Sequence, residues 1–207
     1  MLPLTSMEPI NWNVVVNGAW NRAILTPAWI AQVVLGLPQD SPVDVMVPLD
    51  SFAPFLVRHG GLIVTPARSQ LQVQLEVPSK DSLATAMEAM QRAIRELPRT
   101  PLSACGINIR FMSPEPGDRV VERTRCQTET QLSANGYEIR VRRRGETMAF
   151  RNGALNFIAD IPTTGPTVLT FNFDHQCTTP DEALSWLMIP ASEYVEEASK
   201  VLALIAY

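Results

Sequence analysis

The stretch whose reading decides the fold is 130–157, TQLSANGYEIRVRRRGETMAFRNGALNF. It holds two Asn-Gly dipeptides, Asn135-Gly136 and Asn152-Gly153, each flanked by alternating apolar and polar residues. Asn-Gly readily supplies the positive-φ residues of a tight hairpin turn, so each pair predicts which residues face each other across two strands. A turn at Asn135-Gly136 sets Leu132 against Ile139 and Thr130 against Val141. The same logic at Asn152-Gly153 sets Phe150 against Leu155 and Met148 against Phe157. A third turn at Arg144-Gly145 brings Val141 to Met148 and Ile139 to Phe150, all apolar on one side.

Working outward, the loop from Pro162 to Pro166 lets Phe157 face Phe171, Leu155 face Phe173, and Ala159 face Leu169. One dry face then collects Leu132, Ile139, Val141, Met148, Phe150, Leu155, Phe157, Leu169, Phe171 and Phe173, and it needs a cover. Thr179-Pro180-Asp181-Glu182 supplies one: a capping box with proline at the first helical position. Leu184, Leu187 and Met188, then Tyr194, Ala198, Val201 and Ile205, continue at helical spacing. Pro190 should kink or split that helix after Ile189.

The first half reads in the same terms. Val14 to Val16 before Asn17-Gly18 is a short strand entering a turn. Thr26-Pro27 opens a helix through Trp29, Ile30, Val33, Val34 and Leu37, which Pro38 stops. Short β-like runs follow at Val43 to Val47, Pro54 to Arg58, Leu62 to Thr65 and Leu71 to Val77, with a turn at His59-Gly60-Gly61. Leu83, Met87, Met90, Ile94 and Leu97 mark a second amphipathic helix, capped by Ser79 or Asp81 and ended by Pro98. Ala104 to Phe111 returns as a strand.

The expected fold is therefore α+β: antiparallel β-meanders with about three amphipathic helices packed on one face, arranged as two similar halves. The expected division is an N-terminal α+β half (1–112), a linker (113–118) around Ser113-Pro114-Glu115-Pro116-Gly117, and a five-stranded meander plus terminal helix (119–207); one domain remains open. The strand, polar turn with Asp174 and terminal helix resemble a sporadically distributed family of uncharacterised bacterial proteins over roughly the last forty residues. That resemblance implies no activity. A meander under a terminal helix is also similar in architecture to the SecB-like export chaperones.

Bulk composition narrows the function classes. The 207 residues carry a net charge of −4, with 46% hydrophobic and 18% charged residues, as in a globular rather than a disordered chain. No apolar run approaches the roughly 18–20 residues of a membrane helix, and residues 1–10 lack the basic start of a secretory signal. Cys105, Cys126 and Cys177 read as reduced, buried residues of a cytoplasmic protein, with a disulfide between two of them as the alternative.

No phosphate-binding glycine loop, dinucleotide fingerprint or serine elbow is present, and only two histidines limit imidazole catalysis. No catalytic set, resident metal or cofactor is expected. Asp174-His175-Gln176-Cys177 is the most metal-like cluster, since His175 and Cys177 would share one side of a strand. The alternative is a strand-to-helix turn lined by both.

His59 on a turn, with Asp50 as a carboxylate near it, forms a candidate ligand site, against an exposed tip and a capping aspartate. Trp20, with Trp12, Trp29 and the neighbouring Asn11, Asn13 and Asn21, could line a small-ligand pocket or anchor the core.

Residues 110–151 hold nine arginines against six acids, densest at Arg140, Arg142, Arg143 and Arg144, a possible polyanion or nucleic-acid patch. The hairpin register, however, sets Glu129 against Arg142 and Glu146 against Arg143, as on a solvated sheet face.

The leading expectation is a cytoplasmic, bacterial, non-enzymatic protein-interaction or binding protein. Self-association as a homodimer is expected, because antiparallel meanders leave edge strands to cover. Nucleic acid is a disfavoured partner and a membrane is excluded. The alternatives are a polyanion binder through the arginine hairpin, and a receptor or enzyme with a pocket between the halves near His59 or His175.

Overall fold

The computed structural model describes residues 7–49, 53–113 and 127–206. Its strands are β1 (Glu8–Pro9), β2 (Asn13–Gly18), β3 (Asp44–Met46), β4 (Leu56–His59), β5 (Leu62–Pro66), β6 (Gln70–Leu75), β7 (Leu102–Ser113), β8 (Val141–Phe150), β9 (Gly153–Pro162) and β10 (Thr167–Gln176). All join one ten-stranded sheet in the order β3-β4-β5-β6-β2-β7-β10-β9-β8, with β1 beside β7. Every pairing is antiparallel. The fold is an α+β mix in which the sheet outweighs the helices.

Among the described residues, five helices accompany the sheet: α1 (Pro27–Trp29, continued as a π-turn over Ile30–Val34), α2 (Lys80–Glu96), α3 (Gln127–Ala134), α4 (Pro180–Leu187) and α5 (Ala191–Ala206). Each expected start signal operates. Thr26 Oγ1 accepts from the Trp29 N–H, and Ser79 and Thr179 both form capping boxes, with Ser82 and Glu182 as reciprocal partners. Pro190 separates α4 from α5, as its missing N–H requires.

Period-2 alternation places one side of each strand in the core. Val14, Val16, Leu71, Val73, Leu75, Ile107, Ile109, Leu155, Phe157, Leu169, Phe171 and Phe173 are all buried there. Helix α2 lies on β2 and β6 and touches α1, α4 and α5, so it is the keystone of the covering layer. Arg92 on α2 donates two hydrogen bonds to the Val34 carbonyl, at 3.0 and 2.7 Å, closing the end of the π-turn.

The pairing of β9 with β10 follows the expected register: Phe171 faces Phe157, Phe173 faces Leu155 and Leu169 faces Ala159. Three expectations fail. Residues 127–134 form α3 rather than a strand, and Asn135-Gly136 ends that helix. Gly136 takes φ +82° and donates to Ser133, while Tyr137 donates back to Leu132. This is a Schellman motif, the other structure for which Asn-Gly is suited. Leu132 and Val141 are exposed, not core.

Arg144-Gly145 is not a turn; it lies within β8, where Gly145 pairs with Ile158. Among the described residues α3, not a strand, comes directly before β8, so no reversal is needed there. The last hairpin is displaced by one residue, so that Arg151-Asn152 forms the turn, Arg151 takes φ +51°, and Met148 faces Leu155. Moving the partner by two preserves side-chain parity, so Met148 and Phe150 still pack against the core. The described residues after 119 thus contain three strands where five are expected. The proline linker lies largely outside the described residues.

Candidate functional site

Among the described residues, α2 lies on one side of the sheet and the other side carries amides. One row of residues in register crosses six strands: Gln74 on β6, Asn13 on β2, Asn108 on β7, Asn172 on β10, Asn156 on β9 and Thr147 on β8. Five of these residues are joined by side-chain hydrogen bonds running in one direction. Thr147 Oγ1 lies 2.9 Å from Asn156 Oδ1, and Asn156 donates to Asn172 at 3.0 Å. Asn172 then donates to Asn108 at 2.9 Å, and Asn108 to Asn13 at 2.8 Å. Asn13 closes the row by donating to the Asn11 carbonyl at 3.2 Å.

The next row reads Gln72, Val15, Gly106, Asp174, Ala154. Because Gly106 has no side chain, the rows enclose a shallow cleft of ≈ 490 Å³ with Gly106 and Val15 on its floor. Asn11, Asn17, Gln70 and Arg110 complete its rim. The twelve lining residues include seven glutamines and asparagines besides Asn13, one positive and one negative charge, and neither histidine nor cysteine. A Cβ at 106 would meet nothing closer than 3.5 Å, so the floor is open by composition rather than by backbone necessity.

Of the residues singled out from sequence, Asn11, Asn13 and Asp174 line this cleft, and the others lie elsewhere. His175 is on the core side of β10, 7% exposed, stacked on Trp186 with ring centroids 5.0 Å apart and its Nδ1 3.2 Å from the Asn152 carbonyl. Cys177 and Cys105 are both free and buried close by. Burial, with Glu182 and Asp174 near, pushes the Cys177 thiol up to about 11, and burial raises Cys105 well above the ordinary thiol range. No group of three potential metal ligands occurs among the described residues.

His59 closes the β4–β5 hairpin, where Gly60 and Gly61 take φ +57° and +79°. Five strand intervals, about 24 Å at ~4.8 Å each, separate β4 from β10, so His59 and His175 do not meet in one pocket. Asp50 and Cys126 lie outside the described residues. Trp20 is 3% exposed and donates from Nε1 to the Val16 carbonyl at 3.0 Å; with Asn21, Arg22 and Arg68 it borders a separate hollow of ≈ 460 Å³ away from the amide cleft.

The arginine run is engaged differently from its expected register. Arg143, not facing Glu146, holds Asp160 across β8–β9 through two bonds of 2.5 and 3.0 Å. Arg144 pairs with Glu146 two residues on, and Arg140 lies 3.7 Å from Glu138. Arg142 is in register with Ile161, not with Glu129, whose residue belongs to α3.

Sequence reasoning missed the amide face, although its signal is present. Gln70-Leu71-Gln72-Val73-Gln74-Leu75 and Asn13-Val14-Val15-Val16-Asn17 alternate with one polar chemistry, not with mixed charges. The apolar half of the alternation predicts the core; the uniformity of the other half marks the site. The chain matches no protein-family model and no curated protein.

Proposed function

We propose that this is a non-enzymatic binding protein whose ligand lies on the bare amide face around Gly106. The observation that carries the reading is the directed row from Thr147 to Asn13. Each bridging amide uses one N–H and one oxygen lone pair within the row, and retains one of each for a visitor. The row therefore holds its donors and acceptors at fixed positions before any ligand arrives, which lowers the ordering cost of binding. Catalysis has little support here, since proton transfer in the cleft would rest on Asp174 alone. The arginine strand is the weaker surface for a partner, because Arg143 and Arg144 are already engaged by Asp160 and Glu146.

The same reading absorbs the expectation of two similar halves. Among the described residues the first half runs β2, α1, β3–β6, α2 and the second β7, α3, β8–β10, α4 and α5, with one strand fewer in the second meander. Strands β2 and β7 are neighbours at the middle of the sheet, flanked by β6 and β10, then β5 and β9, then β4 and β8. We infer two copies of one unit about a two-fold passing between Asn13 and Asn108, with Gln74 and Asn172 as the matched outer pair. Binding at the junction of copies would explain why the cleft sits at the sheet's centre.

The test uses the Asn and Gln side-chain NH₂ resonances of the ¹⁵N-labelled chain, titrated with peptide, nucleotide and glycan mixtures. Binders should shift the resonances of Asn13, Asn108 and Asn172. Binders that move only the Arg140–Arg144 strand or the His59 turn, or the absence of any binder, would overturn the assignment.

A further inference from the structure

We propose that the ligand of this face is a neutral oligosaccharide lying across the strands along the row Asn13, Asn108, Asn172, Asn156, an inference that rests on the binding role assigned above. Four properties of the cleft select this class. First, its charge is balanced: Arg110 is the only cation among the lining residues and Asp174 the only anion. A nucleic acid or other polyanion needs several cations to displace its counterions, and this floor has none to add.

Second, the cleft offers almost no apolar area beyond Val15, so a lipid or an aromatic ligand would gain little from leaving water there. Third, a peptide bound in extended form adds to a sheet edge and places alternate side chains in pockets, whereas this is a sheet face with one shared floor. Fourth, an amide presents a donor and an acceptor together, and so does a sugar hydroxyl. Hydroxyls can therefore bridge neighbouring amides of the row in either sense, which no singly charged group does.

Spacing agrees with chemistry. Adjacent side chains of the row repeat at the strand separation of about 4.8 Å, close to the length of one pyranose unit in an equatorially linked chain. Each sugar would lie over one strand, with the open floor at Gly106 taking a ring substituent. No aromatic residue lines the cleft, so binding there proceeds without ring stacking.

The experiment titrates the ¹⁵N-labelled chain with cellohexaose, xylohexaose, maltohexaose and chitohexaose, separately. A heparin hexasaccharide and an unrelated hexapeptide serve as the other arms. At least one neutral glycan should shift the side-chain amides of Asn13, Asn108 and Asn172 saturably, with a dissociation constant unmoved by added salt. Gly106→Val, which fills the floor, should weaken that glycan at least tenfold. Asn108→Asp, which keeps the shape but removes the donor to Asn13, should do the same and covers the case in which the valine variant melts early.

The proposal is overturned if none of the four glycans shifts these amides at millimolar concentration, or if heparin alone does so and is released by salt. If the peptide moves the same amides and no glycan does, the ligand class is wrong while the face stands. A glycan that binds without moving these amides overturns both.

Discussion

Two glycines on adjoining parts of the sheet should behave oppositely when given a methyl group. Gly153 belongs to an Asn-Gly pair, yet it is not a turn residue; it opens β9 opposite Phe150. An added Cβ there would stand 2.9 and 3.1 Å from Cη2 and Cζ3 of Trp186, and nearer still to the Asp174 carbonyl oxygen. Trp186 is 1% exposed and wedged between His175 and Phe150, so it cannot retreat. Overpacking of this kind costs about 1–3 kcal/mol, and a backbone obstacle puts Gly153→Ala near the upper end. For a chain of this length that corresponds to a Tm lowered by roughly 6–12 °C.

Gly106→Ala, with no neighbour inside 3.5 Å, should instead leave stability unchanged or raise it by about 0.4–1 kcal/mol through the unfolded chain. Circular-dichroism melts and urea titrations of both variants decide the matter. Gly153→Asn adds a discriminating arm. A turn role would tolerate asparagine, whereas crowding against Trp186 makes it worse than alanine. A Gly153→Ala protein that melts with the parent, or an asparagine variant milder than the alanine one, would refute the packing account.

Thr179→Ala should cost about 0.5–2 kcal/mol in urea titration by opening the capping box of α4. Glu182 shares that box: the Thr178 and Thr179 N–H groups hold its carboxyl below the ordinary glutamate range. Its folded value is the lower one, so its stabilisation is complete above the unfolded glutamate value and fades as pH falls through the folded one; Glu182→Gln should flatten that acid limb of the stability profile. In a Cys126→Ser background, Cys105 and Cys177 should resist a thiol reagent at mildly alkaline pH and react only after denaturation, because burial raises both thiols. Rapid labelling of the native protein would contradict their placement. Trp20→Ala should cost about 3–5 kcal/mol by emptying a buried site, yet leave ligand shifts at Asn108 untouched wherever the variant stays folded.

Most of the core was legible before any coordinates. The pairs Phe157–Phe171 and Leu155–Phe173, the caps at Thr26, Ser79 and Thr179, and the break at Pro190 each follow from strong local rules. Two of the three failures share one physical cause. Asn-Gly favours positive φ, and a positive φ serves a helix end as well as a hairpin, so Gly136 alone could not distinguish them. A strand before Gly136 implies a second reversal at Arg144-Gly145, so the helix end at Gly136 removes both. The candidate site was illegible for a different reason. Asn13, Asn108, Asn156 and Asn172 are far apart in the chain, and only the strand order β2-β7-β10-β9 brings them into one row.

That row has a consequence for how the face responds to change. Every asparagine in it accepts from one side and donates to the other, so turning one amide over would set oxygen against oxygen and nitrogen against nitrogen. The four amides accordingly share a single polarity, like compass needles aligned by their neighbours. The orientation set at Thr147 on β8 is thus tied, amide by amide, to that of Asn13 on β2, four strands away in the sheet.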